Sequence, residues 1–340
     1  MFQIKYLAKQ LCDNIGKYRS ALMGFSMMLV FLYHAQSEKL GFMPAGLLGA
    51  IMPYFNRGVD MFFFLSAFGL CFSLKKNTIK SFYFNRFKRI IPTWWVVLLS
   101  IHGIGILFGA RFGSEGFFYP HTIVDLFFWY TGLGFFFNQC CYEWFIPTLL
   151  FFYLLIPLIN KWSRHYILLT IVLSVPLILL YKGSGYMSYL SIAITRIPIF
   201  LLGVLFFKDV EQNKYNQFFV TCAILWAYVF VLSFFWNVPD VIQNAPVLPF
   251  VMGLIGFVFS FKYTKFIDVF LSFIGTISLE FYLIHPHRRP QYLISYITKD
   301  GVLQVLGAFV LVVVLSYLLH QLMGKVNEKF LSHKEKKPVA

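Results

Sequence analysis

Charge is the scarcest property of this chain: Asp, Glu, Lys and Arg make up 13% of its 340 residues, against about 25% in soluble domains. Acids are scarcer still, with 14 Asp and Glu against 29 Lys and Arg. Such a composition cannot cover an ordinary water-facing surface, and no polar stretch is long enough for a soluble domain. The five cysteines, Cys12, Cys71, Cys140, Cys141 and Cys222, form no CxxC pair and keep no regular spacing with histidine. That argues against a zinc site or a disulfide framework, and no metal is expected. No internal repeat or low-complexity linker stands out, and no paired interrupted spans mark the two halves, as they would in an inverted-repeat transporter. No small-residue cleavage site follows the first apolar run, so a removable signal peptide is not expected.

What the chain has in abundance is long apolar runs. Hydrophobic residues make up 59% of it and phenylalanine alone numbers 43, spread as lipid-facing and packing surface rather than gathered at a site. A bilayer core takes about 20 apolar residues per helix. Runs of that kind fall near residues 20–35, 58–74, 90–109, 121–137, 144–160, 165–181, 189–207, 217–236, 246–261, 268–285 and 303–323. They predict an all-α polytopic membrane protein, a single domain over 1–340. The net charge of +15 does not call for nucleic acid, because the basic residues concentrate in short segments flanking the runs, as cytoplasmic loops do.

If every run crossed, Lys161 and Arg164 would lie opposite the Lys75–Arg89 cluster, against the positive-inside rule. The run 121–137 is the one expected not to cross, since His121 and Asp125 sit at its edges and Thr131-Gly-Leu-Gly134 weakens a helix inside it. About ten transmembrane helices with one re-entrant segment follow. The inside segments 1–19, 75–89, 161–164, 208–214, 262–265 and 324–340 then hold 21 Lys or Arg and the outside segments 7. Both termini are expected in the cytoplasm, 1–19 as a polar N-terminal segment and 324–340 as a basic tail, with His34 near the outer face.

An ionisable residue inside a span costs several kcal/mol, about 2.5–3.5 for Asp on insertion scales, and therefore marks a function by default. His34 ends the first run, and Asp60 lies in Gly58-Val-Asp-Met-Phe-Phe-Phe-Leu-Ser66. A neutral imidazole can take a proton from a hydroxyl at neutral pH, so His34 is a candidate general base; a histidine hydrogen-bonded at headgroup level is the alternative. Asp60 could orient it or cap its own helix. The segment Lys75–Pro92 holds six cations and no acid. Arg86 and Arg89 directly precede Pro92, where guanidinium forks could grip the phosphates of a cytosolic donor or serve topology alone. Glu143 precedes Trp144 at the outer edge of a span. Arg196, within a span, should face the bundle interior or snorkel. Tyr282 and His285 close the tenth run, His285 on the same outer face as His34, and an aromatic belt explains Tyr282 equally well.

Taken in order, these segments resemble the membrane-bound acyltransferase 3 family. The elements are a histidine ending the first span (His34), Gly-Val-Asp-x-Phe-Phe-x-Leu-Ser (Gly58 to Ser66), and Arg-x-x-Arg-Ile-x-Pro (Arg86 to Pro92). Trp144 with Tyr153 and Pro157 follows, then Arg-x-Pro-x-Phe-x-x-Gly (Arg196 to Gly203) and Ile-Ser-x-x-x-Tyr-Leu-Ile-His (Ile277 to His285). The resemblance implies an enzyme of the plasma membrane that moves an acyl group, acetyl from acetyl-CoA in the simplest case, onto a hydroxyl of a cell-surface carbohydrate or its precursor. Its partners would be the lipid bilayer, acyl-CoA and the carbohydrate acceptor. Arg86 and Arg89, with Arg19 helping, would hold the CoA phosphates. His34 would deprotonate the acceptor or carry the acyl group, Asp60 would orient or tune His34, and Ser66, Tyr282 and His285 are the candidate oxyanion donors. Glu143, Trp144 and Arg196 are substrate-binding or structural candidates.

The chain departs from the family pattern in three places. Met23 stands where an arginine often lies eleven residues before the histidine, Ala67 replaces a glycine, and Asn85 replaces the first of two adjacent arginines. Arg19, one turn before Met23 on nearly the same face, could substitute. It lies 15 residues from His34, about 22 Å of helix, so the two could touch only opposite ends of one extended ligand. The missing arginine keeps open a protein of the same fold that exports or flips a polysaccharide, and a sensor or assembly subunit without catalysis is a third reading.

Overall fold

The computed structural model describes residues 2–37, 46–108, 122–137, 144–181, 188–285, 294, 297–298 and 300–335. Among them the chain is 88% helical and has no strand. The helices are α1 Phe2–Lys17, α2 Arg19–Ser37, α3 Gly46–Ile51, α4 Gly58–Lys76, α5 Ile79–Phe108, α6 Ile123–Thr131, α7 Leu133–Phe136, α8 Phe145–Ile159 and α9 Arg164–Leu180. They continue as α10 Ser188–Ile194, α11 Ile197–Glu211, α12 Tyr215–Ser233, α13 Asp240–Asn244, α14 Leu248–Phe259, α15 Lys265–Thr276, α16 Ser278–Ile284 and α17 Gly301–Glu335.

Helix α4 sits at the centre. Its residues from Gly58 to Phe68 are all buried, as expected of a helix apolar all round, and α2, α8 and α11 pack around it. Phenylalanines fill the seams: Phe63 meets Phe152 edge to face with ring centroids 5.6 Å apart, and Phe152 stacks on Phe200 at 4.3 Å. The closest crossing is α2 on α15. A Cβ on Gly24 would overlap the Leu271 carbonyl, and one on Gly275 would overlap the Ser20 carbonyl. The absence of a Cβ at these two glycines lets the backbones approach so closely. Helices α12 and α17 turn Val220, Ile224, Val310 and Leu318 outward, an apolar exterior suited to lipid.

Among the described residues four helical segments are long and apolar enough to cross a bilayer: Gly46–Lys76, Leu190–Glu211, Tyr215–Ser233 and Gly301–Glu328. A fifth arises if α14 and α15, bent by 94° at their junction, form one span. The segment predicted to re-enter consists of two short helices. Thr122 and Asp125 form a capping box at the start of α6, and Gly132 breaks the run with φ of 72°.

The N-terminal segment is more than a polar extension. Ala8, Leu11, Cys12 and Ile15 recur at helical spacing and are buried, and this face of α1 lies on α14 and α12. Three segments assigned to one side from their charge do meet at one end of the bundle. Lys75 pairs with Glu211, Arg164 with Asp209 at 2.9 Å, and Lys208 donates to the Asn160 carbonyl at 2.9 Å.

Candidate active site

Three of the basic residues singled out in the sequence line one cavity of about 320 Å³. Arg19 and Met23 reach it from α2, Arg86 and Arg89 from α5, Ser66 from α4, Tyr153 from α8 and Tyr282 from α16. Arg19 is seated from behind: its Nε donates to the Leu65 carbonyl at 3.1 Å, and its guanidinium lies where a Cβ on Gly69 would be. Met23, which replaces the family's usual arginine, shares this wall with Arg19. The Nε of Arg86 is buried with no hydrogen-bond partner among the described residues, a costly state for a charged donor unless a ligand accepts from it.

At the C-terminal end of α2, His34 meets His285, the residue just past α16. Nδ1 of His34 lies 2.9 Å from Nε2 of His285. Nδ1 of His285 lies 3.1 Å from the Phe281 carbonyl and 3.0 Å from the Tyr282 carbonyl. Carbonyls only accept, so the His285 proton sits on Nδ1 and its Nε2 is an acceptor. His34 must then donate through Nδ1, which leaves the basic lone pair on its Nε2. In this arrangement His285 holds the His34 ring in one tautomer. The same arrangement removes neutral His285 from the oxyanion donors, because its one N–H is directed at backbone. Tyr282 joins the two regions, lining the arginine cavity while its ring lies 5.5 Å from that of His285.

Asp60 does not orient His34. Its carboxylate is clamped between two arginines, with Arg196 Nε 3.2 Å from Oδ1 and Arg57 Nη1 3.8 Å from Oδ2. Nor does it cap α4, since it already lies inside the first turn. Arg57 reaches on to Asp240 at 3.3 Å. Arg196 faces the bundle interior, its guanidinium carbon 5.0 Å from the centre of the Trp144 ring. Trp144 and Arg196 are thereby brought together, and Glu143 lies outside the described residues.

Three ionisable partners were not singled out from the sequence. Arg57 was counted among the outside charges. Glu280, buried, pairs with the partly exposed His320, Nδ1 to Oε1 at 3.0 Å. Each of these two lies inside an apolar run, so the rule that selected Asp60 would have found them.

No curated protein and no solved structure matches the chain. A family model described as an acyltransferase domain matches residues 21–321, a stretch that contains both histidines, the three-arginine cavity apart from Arg19, and the Asp60 cluster. The chain belongs to the acyltransferase 3 family of membrane acyltransferases.

Proposed function

We propose that this protein transfers an acyl group, acetyl in the simplest case, from acyl-CoA to a hydroxyl of a cell-surface carbohydrate or its lipid-linked precursor. The observation that carries this reading is the convergence of Arg19, Arg86 and Arg89 on one cavity, with a buried donor of Arg86 unmet among the described residues. Guanidinium groups in that number suit the diphosphate of CoA. The thioester arm then extends towards Tyr282 and the histidine pair.

His34 Nε2 takes the proton of the acceptor hydroxyl as its oxygen attacks the thioester carbonyl. The carbonyl electrons move onto oxygen, where the hydroxyl of Ser66 or Tyr282, both lining the cavity, can donate to the oxyanion. Collapse expels the CoA thiolate, which receives the proton held by His34, leaving an ester and free CoA. In this reading the chain crosses the plasma membrane about ten times, 121–137 enters without crossing, and both termini lie in the cytoplasm. The arginines then face the cytosolic donor, and His34 faces the outer acceptor.

The test is binding of acetyl-CoA to detergent-purified protein, beside transfer to mixed carbohydrate acceptors followed by mass spectrometry. Arg86→Ala/Arg89→Ala removes at least two charge-assisted bonds of about 1.5 kcal/mol each, so affinity should fall about 100-fold. Equal affinity in a monodisperse double variant would overturn the donor site.

A further inference from the structure

A second cavity, of about 350 Å³, adjoins the first. It is lined by Asn85, Lys88, Arg89 and Thr93 of α5, by Glu280 of α16, and by His320 and Asn327 of α17. Arg89 and His320 belong to both cavities. The first cavity alone, at about 320 Å³, is small for acyl-CoA, since pockets for drug-sized ligands already measure about 300–1,000 Å³ and CoA is larger than these.

Glu280 sets the second cavity apart from a simple cationic vestibule. Its residue is 3% exposed, and its Oε1 accepts from His320. Its Oε2 is buried without a partner among the described residues. A buried carboxylate oxygen left without a donor costs about 1–3 kcal/mol or more. A phosphate offers no donor to repair it at neutral pH. A ligand that brings both an anion for Lys88 and Arg89 and a neutral donor for Glu280 would meet both demands of this cavity.

Resting on the acyl-CoA reading above, we infer that the second cavity is the subsite for the adenosine 3′-phosphate end of the donor. That end carries the required pair on adjacent ribose carbons, a 3′-phosphate and a 2′-hydroxyl, with the adenine amino group as a further donor. Glu280 Oε2 accepts from the ribose hydroxyl or the adenine amino group, while Lys88 and Arg89 face phosphate. Lys88 is preset for this, its Nζ anchored on the Asn327 carbonyl at 2.9 Å, which also ties α5 to α17. Arg89, common to both cavities, marks where the diphosphate passes from the nucleotide to the pantetheine arm. A nucleotide-free thioester would occupy only the first cavity.

The deciding variant is Glu280→Gln, which can still accept from His320 through its amide oxygen but presents N–H where the ligand needs an acceptor. Its affinities for acetyl-CoA, adenosine 3′,5′-bisphosphate and acetyl-phosphopantetheine are compared with those of the unaltered protein in detergent. The first two should weaken about tenfold, the loss of one charge-assisted hydrogen bond, and the third should not change. Lys88→Ala should erase the preference for acetyl-CoA over its 3′-dephospho form. Equal weakening of all three ligands, or none, would overturn the subsite while leaving the donor reading in place. Failure of the unaltered protein to bind acetyl-CoA would overturn both.

Discussion

Asp60→Asn separates two roles for one residue. If Asp60 oriented a catalytic histidine, the variant would fold normally and lose turnover. In the structure it neutralises two guanidinium groups whose side chains are 11% exposed, so the loss should fall first on stability. Removing one member of a buried ion pair costs about 3–5 kcal/mol, because the remaining charge is left uncompensated. Arg57 keeps Asp240 at 3.3 Å, and Asp240 has 65% of its side chain exposed, so Arg57 retains a hydrated counter-ion. Among the described residues Arg196 keeps neutral partners, the Ile192 carbonyl at 3.1 Å and the Thr195 hydroxyl at 2.9 Å, besides the Trp144 ring. The expected cost therefore lies at the low end, about 3 kcal/mol, and comes almost wholly from Arg196. Thermal unfolding in detergent, followed by size-exclusion of heated samples, should show a lowered midpoint for Asp60→Asn. Asp60→Asn/Arg196→Met should recover part of it, with a coupling of at least about 1 kcal/mol. An unchanged midpoint for the single variant, accompanied by loss of transfer, would refute the structural role and return Asp60 to the chemistry.

Two further outcomes are expected. Gly275→Ala places a Cβ against the Ser20 carbonyl, and overpacking of this kind costs about 1–3 kcal/mol. The yield of monodisperse protein should fall, whereas Gly16→Ala, with nothing within 4 Å of the added Cβ, should leave it unchanged. In transfer assays, His34→Ala should lose about 10²–10⁴-fold, the usual contribution of a general base, with folding retained. His285→Leu, which removes the acceptor for His34 Nδ1–H, should lose more than His285→Gln, whose amide oxygen can still accept; the reverse order would sink the tautomer assignment.

The parts of this molecule legible in the sequence are those set by composition and short spacing. Long apolar runs announce helices in a bilayer, and Arg86 and Arg89, one turn apart at the start of an apolar stretch, read as a pair meant for one target. Partnership was not legible in the same way. His34 and His285 are 251 residues apart, and nothing local to either says that they hydrogen-bond; only the crossing of α2 and α15, with α16 following, brings them together. In the sequence Asp60 reads as a partner of His34 or as a cap of its own helix, because both ionisable residues stand out as costly in lipid, yet cost alone does not say which opposite charge offsets it. The face of α1 was visible as Ala8, Leu11, Cys12 and Ile15, but the net polarity of residues 1–19 masked it.

A physical distinction among buried ionisable groups follows from these cases. Asp60 lies between Arg57 and Arg196, and Arg164 reaches Asp209 through Nε at 2.9 Å and Thr221 through Nη2 at 2.6 Å. Charges matched inside the protein in this way hold helices together, and their neutralisation leaves little free energy for a ligand to gain. Arg86 Nε and Glu280 Oε2 also lack a hydrogen-bond partner among the described residues, as do Asp60 Oδ1 and Oδ2 and Arg196 Nε, but Asp60 and Arg196 face opposite charge within 4 Å whereas Arg86 and Glu280 line cavities. Desolvation of such a group has already been offset by the rest of the fold, so a ligand that supplies the missing partner collects nearly the whole hydrogen bond rather than the small difference left after exchange with water. In a membrane bundle, where every ionisable residue looks functional by cost alone, the unmatched ones lining cavities are where chemistry with another molecule is to be sought, and the matched ones are where stability is.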